Sequence, residues 1–164
     1  GTAGSEEKCA YLTGELSLDA AVNYKTAGDL YTALRDACPQ GLDVYFENVG
    51  GAMLDAVLRL LNPFSRIVLC GMISQYNLAA PEPGPRFLVT MIPNRTLMQA
   101  FIISDHLDRH AEFIREVGGW LAAGKLKYRE TVVEGIENAP KAFLGLFQGE
   151  NLGKMLVRLA PDPK

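Results

Sequence analysis

Apolar residues in the middle of the chain alternate between two spacings. The run from Val44 to Val49 is rich in β-branched and aromatic side chains, which is typical of a buried strand. After Gly50-Gly51, apolar side chains recur at helical spacing from Met53 to Leu61, and Asn62-Pro63 is predicted to end that helix. The apolar run from Ile67 to Leu69 predicts a second strand. Two apolar strands joined by one helix form a βαβ unit, which favours a parallel sheet covered by helices.

The same alternation of strands and helices continues on both sides of this unit. Before the unit we predict a helix capped by Ser5 and ending near Gly14, a strand from Asp19 to Tyr24 and a helix from Asp29 to Cys38. After it we predict one or two helical turns from Phe87 to Ile92, a strand from Thr96 to Ser104 and a helix from Asp108 to Ala123. The chain then continues with a strand from Tyr128 to Val133, a helix capped by Asn138 and running to Phe147, a strand from Met155 to Leu159 and a tail from Pro161 to Lys164. The predicted fold class is therefore α/β, with a doubly wound parallel sheet.

The segment after about Tyr128 follows a different pattern. Its residues alternate in a way that is more typical of an antiparallel addition, so we place a domain boundary near residues 125–127. The aromatic and apolar side chains of its helix, Phe143, Leu146 and Phe147, are expected to be buried.

Composition and charge exclude several classes of protein. The 164 residues carry a formal net charge of −3 and no basic stripe, which argues against a nucleic-acid partner. No apolar run reaches the roughly 18 residues of a membrane span, and the first ten residues do not resemble a secretory signal. The three cysteines, Cys9, Cys38 and Cys70, are far apart and indicate neither a disulfide framework nor a zinc site. A cytoplasmic location is expected.

The candidate chemistry lies where the two central strands end. In parallel sheets ligands bind outside the carboxyl ends of the strands, which here are residues 47–51 and 70–74. Elsewhere, His106 and His110 are four residues apart, but the sequence offers no third metal ligand, so a metal site is not predicted. No GxSxG pattern for a hydrolase is present.

Five stretches of the chain resemble a known family. They are GSEEKCAYL, NYKT, GLDVYFENVGG, RIVLCGMISQYN and WLAAGKLKYRETVVEGIENAPKAFLGLFQGENLGK. The chain resembles the zinc-independent medium-chain dehydrogenases/reductases, and within them the prostaglandin reductase, leukotriene B4 dehydrogenase and alkenal (curcumin) double-bond reductase group. The resemblance implies an oxidoreductase that uses NADP(H) to reduce the C=C bond of α,β-unsaturated ketones and aldehydes. It also implies a homodimer, with the strand at Thr96 to Ser104 near the contact.

The resemblance further implies that the chain is a segment of such an enzyme. Residues 1–126 would be a partial NADP-binding Rossmann domain without its first strand, glycine-rich turn and first helix. Residues 127–164 would return to a GroES-like catalytic domain. The absent strand lies at the centre of the sheet, so we expect two separated groups of strands with unpaired edges, and a chain that self-associates on its own. A quinone reductase of the same superfamily and an inactive nucleotide-binding fragment remain alternatives.

Residues near the amino terminus are candidates for binding the adenosine end of the cofactor. Gly4-Ser5 stand where an acidic residue would hold the ribose hydroxyls of NAD, so they leave room for a 2′-phosphate. By resemblance Lys8 binds that phosphate, although spacing alone favours a solvated lysine. Tyr24 either contacts the adenine or its phosphate, or is a half-buried tyrosine that covers the sheet.

Residues after the central strands are candidates for the nicotinamide end. Asn48 either forms an Asx-turn or, as the resemblance implies, lies beside the ribose and nicotinamide, and both roles can coexist. Gly71 allows the backbone to approach a ligand closely. By resemblance the loop with Cys70, Ile73 and Ser74 lines the nicotinamide pocket, although Cys70 itself is expected to be an unreactive core thiol.

Tyr76 is the candidate catalytic residue. Hydride transfer to the β-carbon of an enone builds negative charge on the carbonyl oxygen, and the Tyr76 hydroxyl would stabilise it as a hydrogen-bond donor. The alternative is a loop tyrosine in a hydrophobic contact. By resemblance the backbone at Phe101 and Ile103, near the end of the strand predicted from Thr96 to Ser104, meets the carboxamide, and Asn151 makes a late cofactor contact.

Overall fold

The computed structural model describes residues 1–161, and its centre is the predicted βαβ unit. Strand β3 (Leu42–Glu47), helix α3 (Gly51–Leu58) and strand β4 (Leu61–Leu69) follow one another directly. Strand β3 pairs in parallel with β4, and β4 pairs in parallel with β5 (Leu97–Ala100). The predicted α/β class with parallel strands is confirmed.

Helix α3 ends earlier and β4 begins earlier than the sequence predicts. Leu61 is not the last apolar residue of the helix, because it already pairs with Leu42 across the sheet. A register shift between Leu42 and Val44 accommodates the irregular start of β4, where Pro63 cannot donate a ladder hydrogen bond. The next residue, Phe64, has a φ of 63°. The proline therefore marks a distortion within a strand, and the helix has already ended before it.

The amino-terminal part forms a second, smaller parallel pair. Strand β1 (Thr2–Ala3) pairs with β2 (Val22–Asn23), which is shorter than predicted, and helices α1 (Glu6–Gly14) and α2 (Leu30–Ala37) follow these strands. The predicted cap at Ser5 is present, and Asp29 caps α2 in the same way. The Ser5 hydroxyl accepts a hydrogen bond from Lys8 N at 3.2 Å, and the Asp29 carboxylate accepts one from Thr32 N at 3.0 Å.

The two groups of strands do not join into one sheet. Among residues 1–161, β1–β2 and β3–β4–β5 form separate sheets, which confirms the expected separation. A cleft of about 640 Å³ lies between β1 and β3, and Thr2, Val22, Tyr45 and Val57 are among its lining residues. One edge of β1 and one edge of β3 therefore lack a strand partner within the described part of the chain.

The core lies on only one face of the β3–β4–β5 sheet. Helix α3 is buried along most of its length and packs with Leu34 of α2 and Ile67 of β4. On the opposite face of β3, the side chains of Val44 and Phe46 are 64% and 58% exposed. The helices of the described chain therefore cover one side of this sheet only.

The segment after β4 is more irregular than predicted. The helical turns expected at Phe87 to Ile92 are present as a 3₁₀ turn (Leu88–Thr90) followed by α4 (Met91–Asn94). Strand β5 stops at Ala100, so the prediction of a strand through Ser104 is wrong, and a 3₁₀ segment (Ile103–Arg109) leads into α5 (His110–Ala122). None of the helices described is both long and apolar enough to span a bilayer.

The carboxyl-terminal segment corrects two expectations. Strands β6 (Glu130–Glu134) and β7 (Lys154–Arg158) are parallel, not antiparallel, because α6 (Ala139–Gln148) carries the chain back across the pair. Three side chains of α6 expected to be buried are largely exposed: Phe143, Leu146 and Phe147. No described element covers this face of the helix. The predicted tail lies outside the described residues, except for Pro161.

The junction before β7 provides a test of this parallel pair. Gly153 has a φ of 76°, and a Cβ atom added there would overlap the Arg129 carbonyl oxygen. We expect Gly153→Ala to lower the free energy of unfolding by more than about 2 kcal/mol, since a left-handed alanine is strained before the clash is counted. Urea unfolding followed by circular dichroism measures the change.

A matched glycine substitution is the control. Gly118 lies inside α5, and a Cβ atom there would meet no atom within 4 Å. Gly118→Ala should leave the stability unchanged or raise it by up to about 1 kcal/mol. Equal effects of the two substitutions would contradict the β6–β7 arrangement.

Candidate functional site

Backbone hydrogen bonds tie together the segments that follow β3 and β4. They run from Cys70 N and Gly71 N to Glu47 O at 2.9 and 3.2 Å, from Ile73 N to Asn48 O at 3.1 Å, and from Ser74 N to Val49 O at 3.0 Å. These contacts continue the parallel ladder beyond the carboxyl ends of both strands. The two segments that the sequence selects therefore form one connected surface at this edge of the sheet.

Asn48 and Tyr76 meet over Gly71. A Cβ atom added at Gly71 would lie 2.6 Å from Asn48 Oδ1 and 2.9 Å from the Tyr76 hydroxyl oxygen. A side chain at residue 71 would force both polar groups away. The glycine thus allows an amide and a phenol to approach the same stretch of backbone.

The hydroxyl group of Tyr76 is oriented by the backbone. It accepts a hydrogen bond from Met72 N at 2.9 Å, and the side chain is 62% exposed. A phenol that accepts one hydrogen bond keeps its proton for donation, and donation is strengthened by the bond it accepts. Tyr76 can therefore act as a directed donor toward a ligand at this edge.

The other candidates in the loop after β4 differ in their settings. The Ser74 hydroxyl accepts a hydrogen bond from Gln75 Nε2 at 3.1 Å and would lie 3.1 Å from a Cβ atom at Gly51, so it faces the start of α3. Ile73 is exposed. Cys70 is also exposed, so the prediction of a core thiol is wrong. The buried thiol is that of Cys9.

A second cluster surrounds Gly4 at the end of β1. A Cβ atom added at Gly4 would lie 2.8 Å from the Tyr24 hydroxyl oxygen and 3.2 Å from Lys25 Cε. The structure therefore brings Gly4 and Tyr24 together, as parallel pairing of β1 with β2 requires. It also adds Lys25, which the sequence analysis did not single out although it lies within the stretch NYKT.

Lys8 connects this cluster to the carboxyl-terminal segment. Its ammonium group donates a hydrogen bond to Gly149 O at 2.6 Å, and Ser5 caps the helix on which Lys8 lies. Asn151, two residues after Gly149, donates a hydrogen bond from Nδ2 to Gly153 O at 2.6 Å. Lys8 and the Gly149 to Gly153 loop are thus neighbours, although they are about 140 residues apart in sequence.

Phe101 and Ile103 lie beside the site but outside a strand. Phe101 N donates to Leu69 O at 3.3 Å, which keeps this backbone next to the end of β4. The ring of Phe101 makes an edge contact with Phe46 at 6.3 Å between centroids. Ile103 begins the 3₁₀ segment and is exposed.

Glu47 is a buried charge that the sequence analysis did not recognise as a site residue. Its side chain is 0% exposed, and Oε1 accepts hydrogen bonds from Val49 N at 2.5 Å and Gly50 N at 2.9 Å. The Tyr45 hydroxyl donates to the same oxygen at 3.3 Å. The signal in the sequence is an acidic residue at the end of an apolar strand, directly before a turn with two glycines.

The two histidines contact aromatic rings. His106 lies 6.4 Å from the ring of Phe101, and His110 lies 6.5 Å from that of Phe113. Within residues 1–161, no group of three or more His, Cys, Asp or Glu residues is close enough together to hold a metal ion.

Comparisons with known proteins match nearly the whole chain. A family model described as "Zinc-binding dehydrogenase" matches residues 1–117. The chain is 54% identical to the Bacillus subtilis protein YfmJ over 165 residues and 44% identical to the NADPH-dependent curcumin reductase of Escherichia coli over 167 residues. Each match covers 99% of this chain and 48% of the relative, so the chain spans about half the length of these curated relatives.

A solved structure gives the same result. The crystal structure of CurA from Vibrio vulnificus in complex with NADPH superimposes with a TM-score of 0.91 at 45% identity. The match covers 99% of this chain and 49% of CurA. The predicted resemblance to the double-bond reductase group and the predicted Rossmann-type fold are both confirmed.

The pairing of Tyr45 with Glu47 predicts a dependence of stability on alkaline pH. Burial, and then the neighbouring Glu47 carboxylate, raise the pKa of Tyr45 well above its usual value. Above about pH 10 an unfolded tyrosine loses its proton while folded Tyr45 keeps it, so the free energy of unfolding should fall, by at most about 1.4 kcal/mol per pH unit. Below that pH the contribution is constant.

Substitution isolates this contribution. Tyr45→Phe should show a shallower fall in stability between about pH 10 and 11, measured by urea unfolding at each pH. Tyr128→Phe, at a tyrosine that is 67% exposed, should retain the slope of the unmodified chain. If both variants keep that slope, the raised pKa of Tyr45 is wrong.

Proposed function

Because the chain belongs to the zinc-binding dehydrogenase family, we propose that it is the nucleotide-binding part of an NADPH-dependent reductase of α,β-unsaturated ketones and aldehydes. The observation that carries the proposal is the meeting of Asn48 and Tyr76 over Gly71 at the carboxyl edge of the sheet. The names of the E. coli curcumin reductase and of the Nicotiana tabacum 2-alkenal reductase, which is 44% identical over 162 residues, support this class of reaction.

The residues of both clusters fit NADP(H). Gly4 is a position where a side chain would fill the space in front of Tyr24, and the amino groups of Lys8 and Lys25 provide positive charge for a 2′-phosphate. At Gly71 the absence of a side chain lets the polar groups of Asn48 and Tyr76 lie together, where they would face the nicotinamide end. The proposed cofactor-binding set is Gly4, Ser5, Lys8, Tyr24, Lys25, Asn48, Cys70, Gly71, Ile73, Ser74, Phe101, Ile103 and Asn151.

Tyr76 has the catalytic role in this proposal. When bound, NADPH supplies the hydride for the β-carbon of the substrate. The Tyr76 hydroxyl, already accepting a hydrogen bond from Met72 N, would donate a hydrogen bond to the carbonyl oxygen on which negative charge develops. Asn48, which lies over Gly71 together with Tyr76, would orient the ligand through its amide.

We propose the same domain division as the sequence predicts. Residues 1–126 would belong to the nucleotide-binding domain, and residues 127–164 would extend into a GroES-like catalytic domain. The family match ends at residue 117, and β6 and β7 pair with each other in a separate sheet, which supports a boundary after α5. The protein would not use zinc, and all three cysteines are free thiols, which is consistent with a cytoplasmic location.

A homodimer through β5 is part of the proposal. Strand β5 is at the edge of its sheet, and Ile92 nearby in the chain is 76% exposed. We use "the whole protein" for the longest natural protein that contains this chain. Sedimentation velocity of the whole protein should give twice the mass of one of its polypeptides. Leu97→Lys, at an exposed side chain of this strand, should shift the protein to monomer, because a charge there opposes pairing of two edges. A monomeric unmodified protein would refute the dimer.

Cofactor selectivity tests the role of Lys8. In the whole protein, Lys8→Ala should raise KM for NADPH by about 10- to 100-fold, the equivalent of one charge-assisted hydrogen bond, and leave KM for NADH nearly unchanged. The control is Lys125→Ala, at an exposed lysine outside both clusters. An equal loss with NADPH and NADH would assign Lys8 to folding alone.

Turnover of an unsaturated ketone tests Tyr76. In the whole protein, Tyr76→Phe should lower kcat by about 100-fold at an unchanged Kd for NADPH, since a donor to the developing charge is lost. Tyr128→Phe removes an exposed hydroxyl elsewhere and should retain full activity. Failure of the unmodified whole protein to oxidise NADPH with any enone or enal would refute the proposed reaction.

A further inference from the structure

The carboxylate of Glu47 has no cationic partner to explain its burial. None of the ion pairs found in residues 1–161 includes Glu47, and its Oε2 atom has no hydrogen-bond partner in that part of the chain. A buried carboxylate is costly unless its environment compensates, whereas a glutamine or a methionine would fill the same volume without that cost. A specific task for the carboxylate would explain it.

Glu47 holds the turn that leads into α3. The N-cap residue of this helix, Gly50, has no side chain that could accept a hydrogen bond from the first turn. Glu47 Oε1 accepts hydrogen bonds from Val49 N and Gly50 N, the N–H groups of the two residues directly before the helix. The carboxylate therefore fixes the backbone from which α3 begins.

The same residue sets the position of Asn48. Glu47 O accepts hydrogen bonds from Cys70 N and Gly71 N, while its carboxylate holds the residues on the other side of Asn48. Asn48 is thus fixed from before and after, and its exposed side chain reaches Gly71. Without the carboxylate, the turn from Asn48 to Gly50 would lose the two hydrogen bonds that fix its direction.

We propose that Glu47 is a positioning residue, whose buried carboxylate holds the Asn48 to Gly50 turn so that the Asn48 amide faces the nicotinamide end of the cofactor. This inference rests on the proposed function, because Asn48 is given a cofactor contact there. It assigns Glu47 an effect on cofactor binding that is transmitted through Asn48, with no contact between Glu47 and the ligand.

A double-mutant cycle on the whole protein tests the proposal. The variants are Glu47→Gln, Asn48→Ala and the double substitution, and the readout is Kd for NADPH from fluorescence titration well below the unfolding temperature. Glu47→Gln should raise Kd by about tenfold in the unmodified protein and by less than about twofold in the Asn48→Ala background, since the two residues act as one unit.

A buried polar residue at the other end of the sheet is the matched control. Ser65 is 1% exposed, and its hydroxyl shares a hydrogen bond of 2.8 Å with the Thr96 hydroxyl. It lies in the first half of β4, whereas Asn48 lies beside the residues that follow the end of this strand. Ser65→Ala should lower the unfolding temperature without changing Kd for NADPH. A Glu47→Gln variant that behaves like Ser65→Ala would reduce Glu47 to a structural role and overturn the proposal, as would additive effects of Glu47→Gln and Asn48→Ala.

The readout separates this proposal from the proposed reaction. If the whole protein binds NADPH but reduces no enone or enal, the proposed reaction fails while the cycle on Kd still tests Glu47. If Asn48→Ala leaves Kd unchanged, Glu47 has no cofactor contact to act through, and the positioning role is wrong even when turnover of enones is observed.

Discussion

The parallel register of β3 and β4 determines what the rest of this structure can do. It places Glu47 opposite Leu69, so both strands end at the same level and the residues that follow them continue to bond to each other. The proximity of Asn48, Gly71 and Tyr76 depends on this alignment. A shift of the register by one residue would turn Tyr45 and Glu47 away from α3 and separate Asn48 from Gly71.

Much of this arrangement could be predicted from local patterns in the sequence. The βαβ unit and the cap at Ser5 each depend on neighbouring residues, which a single sequence displays. The separation of β1–β2 from β3–β4–β5 could be predicted as well, because it follows from the strand order of the fold.

What could not be predicted depends on contacts between distant residues. Helical spacing continues through Leu61, but pairing with Leu42 draws that residue into β4. The direction of β7 relative to β6 depends on the path of α6. Cys70 is exposed because it follows Leu69, the last residue of β4 that pairs with β3. Apolar spacing also predicts buried side chains on α6 without revealing which surface would cover them. For Glu47, the sequence displays an acid but not the absence of a cation beside it.

The hydrogen bond from Lys8 to Gly149 O couples the amino-terminal helix to the carboxyl-terminal segment. An ammonium group has three donors, so Lys8 can hold this carbonyl oxygen and an anion at the same time. The first of these two groups to bind immobilises the flexible Lys8 side chain. The second then binds at a smaller loss of side-chain conformational entropy. Docking of the carboxyl-terminal segment and capture of an anion near Gly4 would thus favour each other reciprocally, with no change in backbone shape.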